Sequence, residues 1–412
     1  MSQRQLKTGY FVLEGLNSFS TVYYSYYLYF FMHEAFGFGN KANLALAGIN
    51  GLLYMVGSFY AGRLAERHGY FTLLKVGFTI SIVALAVGLF INSAAGQTAV
   101  IAGVVLGMCC TWPTLEALIS ENESPKGVQH MVGIYNIVWS GTGAIAYFIG
   151  GAMLKNLGLK SLFWVPAAIQ LAQLGLVFWL SRKAGNPGAQ GNKVSGSSVA
   201  QEDNTEAALT RVQESKLRTS VGSRTFLTMA WLTNPFAYIA INTLVAVIPG
   251  VARRLELSTE AAGFCCSIWC FARMASFWWL WHWNGWHYRF RWLLAAYVAL
   301  AGTFVLMLIS PNLPVLVFAQ IIFGGAIGLI YYSSLYYSMD GSENMGHHSG
   351  IHEAAIGFGN FAGPAIGATS LQFFPEYANS AVVAVGTVLM FGLAGLVGIW
   401  CNGRSGAEKR KL

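Results

Sequence analysis

Apolar residues fall into long continuous segments, which short polar connections separate along the whole chain. A helix needs about 20 apolar residues to cross the hydrocarbon core of a bilayer. The pattern predicts an all-α polytopic membrane protein with twelve transmembrane helices. Their approximate bounds are 9–32, 43–63, 72–92, 97–119, 129–154, 160–181, 224–249, 258–281, 290–309, 313–338, 348–373 and 378–401.

A polar stretch separates the first six spans from the last six. Residues 182–222 are rich in Gly, Ser, Gln and charged side chains, and such a composition is typical of a partly disordered linker. We therefore expect an N-terminal six-helix bundle over 1–181, a cytoplasmic linker over 182–222 and a C-terminal six-helix bundle over 223–412.

Short matches at nearly constant spacing indicate that the two halves are related. LAERHGY at 64–70 and LWHWNGW at 280–286 share their Leu and Gly positions, 216 residues apart. HMVGI at 130–134 resembles HHSGI at 347–351, which follows 217 residues later. Many transporters are built from repeated units, so these matches favour two pseudo-repeat bundles.

Composition and charge agree with a membrane protein. The chain has 412 residues, of which 55% are hydrophobic and only 10% charged, whereas a soluble domain carries about 25% charged residues. With the N-terminus in the cytoplasm, 19 of the 25 Lys and Arg residues fall on the cytoplasmic side. The positive-inside rule therefore places both termini there. We expect an integral, multi-pass protein of the cell (inner) membrane.

The stretch GRLAERHGYFTLL at 62–74 carries a loop signature between the second and third spans. It resembles the motif G-x-L-A-D-R-x-G-R-K-x-x-L of the major facilitator superfamily. Glu66 replaces the usual Asp, and Tyr70 and Phe71 replace the two basic residues. The matching residues are Gly62, Leu64, Ala65, Arg67, Gly69 and Leu74.

A second stretch, GNFAGPAIGA at 359–368 in the eleventh span, looks like the family motif G-x-x-x-G-P-x-x-G-[GA]. In antiporter members that motif lies in span five. The resemblance implies two six-helix bundles, a central cavity at the membrane midplane and alternating access by rocking.

The loop itself is a candidate gate. Its acidic residue lies beside a glycine turn at the end of a helix, where it can pair with basic groups or helix ends of the neighbouring span. Such a latch would hold one state and release it in the other, whereas an ordinary charged loop would only obey the positive-inside rule. The gating residues that we predict are Gly62, Glu66, Arg67 and Gly69.

We single out four ionisable side chains inside predicted spans, because a charge there is costly and is a functional candidate by default. They are Glu14, Arg273, His352 and Glu353, and we expect them to form a charge network around the inner mouth of the cavity. Three roles remain open for this network. Arg273 binds an anionic group of the substrate, the other groups couple transport to protons, or an Arg–Glu pair is a static contact between the bundles.

The HHSGIHE stretch also suggests metal ligands, because His348 and His352 are four residues apart beside Glu353. It lacks the H-E-x-x-H order of zinc enzymes, and we predict no metal site. No G-x-x-x-x-G-K-[ST] motif is present in the sequence, so ATP does not drive the protein directly.

Polar and aromatic side chains within the spans are candidates for the cavity wall, because solute sites combine apolar walls with a few placed polar groups. In YYSYYLYFF at 23–31 we expect Tyr24 and Tyr27 to face the cavity, and Tyr23, Tyr26 and Tyr29 to pack elsewhere. The predicted substrate-binding residues are Asn17, Thr21, Tyr24, Tyr27, Trp112, Asn136, Trp139, Asn234, Tyr238, Asn242, Arg273, Tyr332 and Asn360.

Together these features predict a secondary transporter that moves a small organic solute, and a sugar, a sugar acid or another organic anion is favoured. A lipophilic-compound exporter is the alternative within transport, and a membrane receptor or an intramembrane metalloenzyme is the alternative outside it. We expect a monomer in the lipid bilayer with no enzyme activity and no cofactor, and protons are the candidate coupling ion. The formal charge of +8 is scattered over short loops, so we expect no nucleic-acid partner.

Overall fold

The computed structural model describes residues 3–121, 123, 125–184, 221–340 and 345–409. These residues are helical, and short turns join the helices. Most of the predicted linker, 185–220, lies outside the described residues. The helices of the N-terminal half are α1 (Gln3–Phe36), α2 (Asn40–His68), α3 (Tyr70–Gly88), α4 (Ala94–Ser120), α5 (Pro125–Leu157) and α6 (Ser161–Ala184).

The C-terminal half begins after the linker and repeats this helical pattern. Its helices are α7 (Ser223–Arg254), α8 (Thr259–Cys266), α9 (Ile268–His282), α10 (Phe290–Ile309), α11 (Leu313–Asp340), α12 (Met345–Phe373) and α13 (Ser380–Lys409). The predicted all-α membrane architecture is confirmed.

Nine helices within the described ranges are long and apolar enough to cross a membrane. The helices that miss this criterion are α1, α8, α9 and α12. Two of them, α1 and α12, carry buried charged side chains, Glu14 and Glu353, and a helix with a polar face is less apolar overall. Twelve spans with both termini in the cytoplasm remain a prediction.

The predicted eighth span, 258–281, is broken rather than continuous. Ser267 separates α8 from α9. The side chain of Gln320 donates a hydrogen bond of 2.7 Å from Nε2 to the Cys265 carbonyl, and this contact satisfies a carbonyl oxygen next to the break. A side chain from a neighbouring helix can therefore stabilise an interruption that the apolar pattern does not reveal.

Two helices of the first half, α2 and α5, make the main contacts with the second half. α2 packs along α12, and α5 packs against both α8 and α9. Glycines permit the close approach of α2 and α12, because a Cβ on Gly51 would overlap the backbone of Asn360 and Phe361. Small residues at helix contacts are the usual means of tight packing in membranes. The space between the halves is thereby confined to the centre of the molecule.

Candidate functional site

A cavity of about 160 Å³ lies between the halves. Helices α1, α2, α4 and α5 of the first half and α7, α9, α11 and α12 of the second half contribute to its wall. Predicted site residues from both halves meet here. Those that line the cavity are Thr21, Trp112, Trp139, Tyr238, Asn242, Arg273, Glu353 and Asn360.

Arg273 is the basic side chain of the cavity wall. The residue is 4% exposed, and its guanidinium carbon lies 4.4 Å from the ring centroid of Trp139 and 4.9 Å from that of Trp269. Its Nε atom is buried without a hydrogen-bond partner. Cation–π contacts therefore replace a counter-ion at this position, and the N–H edge of the guanidinium can receive a ligand.

Glu353 is the acidic side chain of the cavity wall. It is 3% exposed, and its Oε2 accepts a hydrogen bond of 2.6 Å from the hydroxyl of Tyr54. Tyr54 belongs to α2 and Glu353 to α12, so this bond joins the two halves inside the cavity. A hydrogen bond to a charged acceptor is stronger than a neutral one.

The predicted static ion pair between Arg273 and a glutamate is not formed. Within the described part of the chain, the ion pairs join Lys7 to Glu123 and Lys155 to Glu260. Arg273 instead stacks on indole rings, and Glu353 is held by Tyr54. The two charges of the cavity are thus stabilised separately.

The other two members of the predicted charge network lie outside the cavity lining. Glu14 is fully buried and accepts a hydrogen bond of 2.8 Å from Ser18, while its Oε2 has no partner. His352 is buried beside Ser334, with 3.4 Å between Nδ1 and Oγ. His348 lies where side chains are not described. The four predicted members therefore do not form one hydrogen-bonded network, because each is held by different neighbours.

An amide pair provides neutral polar groups in the wall. Asn242 on α7 donates from Nδ2 to Oδ1 of Asn360 on α12, and it also donates to the Tyr238 carbonyl at 3.3 Å. These contacts fix the orientation of both amides. A fixed amide gives directional hydrogen bonds to a solute without the cost of a buried charge.

The aromatic block on α1 faces the cavity with other rings than we predicted. Tyr26 and Tyr29 line the cavity, whereas Tyr24 and Tyr27 do not. Our prediction extends a row of polar residues from Glu14 to Tyr24 in steps of three and four. Because an α-helix turns by about 100° per residue, Tyr24 points about 80° away from the direction of Glu14 after these ten positions. Tyr24 lies against Phe163, and Tyr27 donates a hydrogen bond to the Tyr147 carbonyl at 2.5 Å.

Four further predicted residues do not line the cavity. Two of them pack next to its wall, and the other two lie elsewhere. Asn136 accepts a hydrogen bond of 3.0 Å from the Trp139 indole and so orients a lining ring. Tyr332 packs between Phe277 and Trp286. The remaining two, Asn17 and Asn234, are 1% exposed and lie outside the lining.

Several site residues escaped the sequence analysis. Asn50, Tyr54 and Tyr331 line the cavity, but an uncharged side chain in a span carries no individual signal. Glu116 is different, because it is an ionisable residue within the predicted span 97–119. It acts electrostatically on Glu353. The rule that selected Glu14 should therefore have selected Glu116.

The predicted gating loop forms a turn at the end of α2. Gly69 has φ 87°, a left-handed backbone conformation that a glycine adopts without strain. Glu66 and Arg67 are exposed, and among the described residues neither forms an ion pair. The helix end is as we predicted, and the latch is not engaged in this conformation.

Polar contacts join the halves at the end of the molecule opposite the chain termini. Lys155 pairs with Glu260 at 2.6 Å, and Lys41 donates to Gln372 at 3.0 Å. The hydroxyl of Thr259 donates to Glu34 at 3.1 Å. These contacts bring the first and second halves together at this end of the cavity.

Several solved structures that this chain resembles are those of transporters. That of the human organic anion transporter MFSD10 (TETRAN) has a TM-score of 0.64 at 13% identity, covering 96% of this chain and 100% of that one. The structure of the nucleoside transporter NupG has a TM-score of 0.67 at 12% identity, and the match covers 96% of this chain and 99% of that one. A third structure is that of a bacterial homolog of the human lysosomal transporter Spinster in an inward-facing and unoccupied conformation. Its TM-score is 0.62 at 14% identity, and the match covers 99% of this chain and 97% of that one.

At these identities the structural likeness shows the fold alone. A comparison with curated proteins finds no match. The family model described as Major Facilitator Superfamily matches residues 10–364, which include the cavity helices of both halves. The chain therefore belongs to the major facilitator superfamily, and it is a multi-pass membrane transporter rather than an enzyme.

Proposed function

We propose that this protein is a secondary active transporter that moves a small organic solute through the central cavity by alternating access. The observation that carries the proposal is Arg273, a buried guanidinium in the cavity wall that pairs with no carboxylate of the described residues. A buried charge without a counter-ion is costly. A solute with a carboxylate or phosphate group would supply that counter-ion, so sugar acids and other organic anions are the favoured class.

The rest of the wall supports a small polar solute. The cavity of about 160 Å³ has room for about 11 to 16 molecules of water, since one water occupies roughly 10–15 Å³ in the same measure. A single sugar-sized ring has comparable size. The amides of Asn242 and Asn360 and the ring of Tyr238 line it, and such groups suit hydroxyl-bearing rings.

Protons are the coupling ion in this proposal. Glu14 and Glu353 are buried carboxylates, 0% and 3% exposed. Ionisable groups at such positions in transporters commonly take up and release protons. Glu14→Gln or Glu353→Gln should abolish accumulation that is driven by a pH gradient, but exchange at equal pH should persist when the solute is saturating. Accumulation that survives both substitutions would exclude these carboxylates as the coupling site.

An exporter of lipophilic compounds is the second candidate. The rings of Tyr26, Tyr29, Trp112 and Tyr331 also line the cavity, and aromatic walls accept apolar molecules. A neutral lipophilic compound would gain nothing from Arg273. The two candidates therefore differ in their response to loss of this charge.

Uptake into proteoliposomes tests the proposal. Arg273→Gln should abolish uptake of an anionic solute, and Arg273→Lys should retain part of it, because the ammonium keeps the charge but loses the planar fork. Arg291→Gln is the matched control, since Arg291 is exposed and outside the lining. Undiminished anion uptake by folded Arg273→Gln protein would refute the anion class and favour the lipophilic exporter.

A further inference from the structure

The cavity carries two opposite charges that do not neutralise each other. Arg273 and Glu353 both line it, and between these two side chains there is no ion pair. Each is held by neutral groups, the indoles on one side and the Tyr54 hydroxyl on the other. When Glu353 is ionised, the cavity wall carries a positive and a negative pole.

Aromatic rings line the cavity together with the two charged side chains. Tyr238 and Tyr331 line the cavity, and both are subject to the charges of Arg273 and Glu353. Their rings are 6.4 Å apart between centroids. Ring faces attract cations and exclude water, so the middle of the cavity suits the apolar body of a solute or the flank of an ammonium group.

Two further acidic side chains interact with Glu353 from outside the cavity lining. Glu116 and Glu14 act electrostatically on Glu353, and Glu116 also acts on Tyr238 and Tyr331. In their ionised forms, these carboxylates favour a cation next to Glu353. A solute that bears only a negative charge would bind Arg273 but meet this acidic field uncompensated.

We propose that the solute is a zwitterion, whose carboxylate binds Arg273 and whose ammonium group binds Glu353. This inference rests on the proposed transport function and narrows its substrate class. A zwitterion pairs both buried charges at once, while a plain acid or a plain amine leaves one of them without a partner. Amino acids of modest size and related carboxylate–ammonium compounds fit the cavity volume of about 160 Å³.

The proposal also gives Glu353 a second ligand besides the proton. An ammonium group and a proton both neutralise a carboxylate, so they compete for the same oxygen atoms. Release of the Tyr54 hydrogen bond on solute binding would alter a contact between α2 and α12. Solute binding would thereby act on the interface along which the halves move.

The test uses the full-length protein in proteoliposomes and measures counterflow at equal pH, so that proton coupling does not enter. The solutes are the twenty standard amino acids, glycine betaine and 4-aminobutyrate. For each amino acid that is exchanged, the matched acid without its amino group and the matched amine without its carboxyl group are compared. We expect the zwitterion to be exchanged with a KM on the order of tenfold or more below both matched compounds.

Substitutions then assign the poles. Glu353→Gln should raise the KM of the zwitterion about tenfold or more while leaving that of the matched acid unchanged or lower. Arg273→Gln should likewise raise the KM of the zwitterion about tenfold or more, while leaving the KM of the matched amine unchanged or lower. Glu353→Asp should restore part of the affinity for the zwitterion. Gel filtration and thermal unfolding verify that each variant is folded.

The possible outcomes distinguish failure of the zwitterion proposal from failure of the proposed transport function. Exchange of organic acids with none of the zwitterions would overturn the zwitterion and leave the proposed anion transporter intact. Exchange of amines without any need for a carboxylate would overturn both the zwitterion and the anion class. A folded protein that exchanges none of these solutes, nor a sugar acid, would contradict transport of this solute class altogether.

Discussion

Arg273 illustrates how much a single buried side chain depends on its neighbours. Its position inside a span marks it as functional in the sequence, because a charge there is costly. Its stacking on Trp139 and Trp269 depends on α5 and on the start of α9, and sequence spacing does not bring these residues together. The sequence therefore identified the charge but left its partners open, and no pattern in it indicated the two indole rings.

The tyrosines of α1 also show that the sequence identifies residues whose orientation depends on packing. The sequence locates the aromatic block on the first helix. Which rings face inward depends on small rotations, and Tyr26 and Tyr29 rather than Tyr24 and Tyr27 line the cavity. A helix turns by about 100° per residue, so an error of one position moves a side chain to a different neighbour.

Loss of the Tyr54 hydroxyl is the most local prediction. Tyr54→Phe removes the 2.6 Å hydrogen bond to Glu353 but keeps the ring. We expect the apparent affinity for the solute to change about tenfold or more, because the net worth of a hydrogen bond to a charged group is about 1.5–3 kcal/mol. The measurement is solute binding by isothermal titration calorimetry. Tyr60→Phe is the matched control, since Tyr60 is 56% exposed; equal behaviour of the two variants would contradict a role for Tyr54.

At the scale of helices, the apolar pattern predicts most of the secondary structure. The predicted span 72–92 overlaps α3, which covers Tyr70–Gly88, and the span 290–309 coincides with α10, Phe290–Ile309. The break at Ser267 is different. A one-residue interruption leaves the apolar run intact, and the contact of Gln320 with the Cys265 carbonyl is tertiary, so neither feature is visible in the pattern.

The close approach of α2 and α12 yields a prediction at this scale. Gly51→Ala places a methyl group against the backbone of Asn360 and Phe361, which cannot yield as a side chain does. Overpacking of this kind costs roughly 1–3 kcal/mol, so the unfolding temperature should fall. Thermal unfolding of the purified protein measures the effect.

A glycine in open space supplies the control for that variant. Nothing lies within 4 Å of a Cβ placed on Gly175 of α6. Because alanine favours a helix by about 1 kcal/mol over glycine, Gly175→Ala should leave stability unchanged or raise it. A Gly51→Ala protein as stable as Gly175→Ala would contradict the tight α2–α12 contact.

At the scale of the whole molecule, the sequence predicted a family architecture but not a conformational state. The loop signature at 62–74 and the division into two halves indicated the superfamily, and the match over residues 10–364 agrees. Which end of the cavity is closed depends on contacts between residues far apart in the chain. The pairing of Lys155 with Glu260, more than 100 positions away, has no signature in a single sequence.

The contacts at the closed end lead to a prediction about motion. A Lys155→Cys, Glu260→Cys protein cross-linked with a short bis-maleimide should still bind solute but should lose exchange, because the halves can no longer separate at that end. The matched controls are each single variant and the unsubstituted protein, treated with the same reagent. Full exchange by the cross-linked protein would mean that this end does not open during transport.

Alternating access is the central claim of the proposed function, and counterflow in proteoliposomes tests it most directly. Vesicles are loaded with an excess of unlabelled solute, and entry of a labelled tracer is followed with no ion gradient. We predict that internal solute accelerates tracer entry and that Arg273→Gln abolishes this stimulation. Solute binding by the purified protein without any stimulated entry would contradict transport and would indicate a receptor.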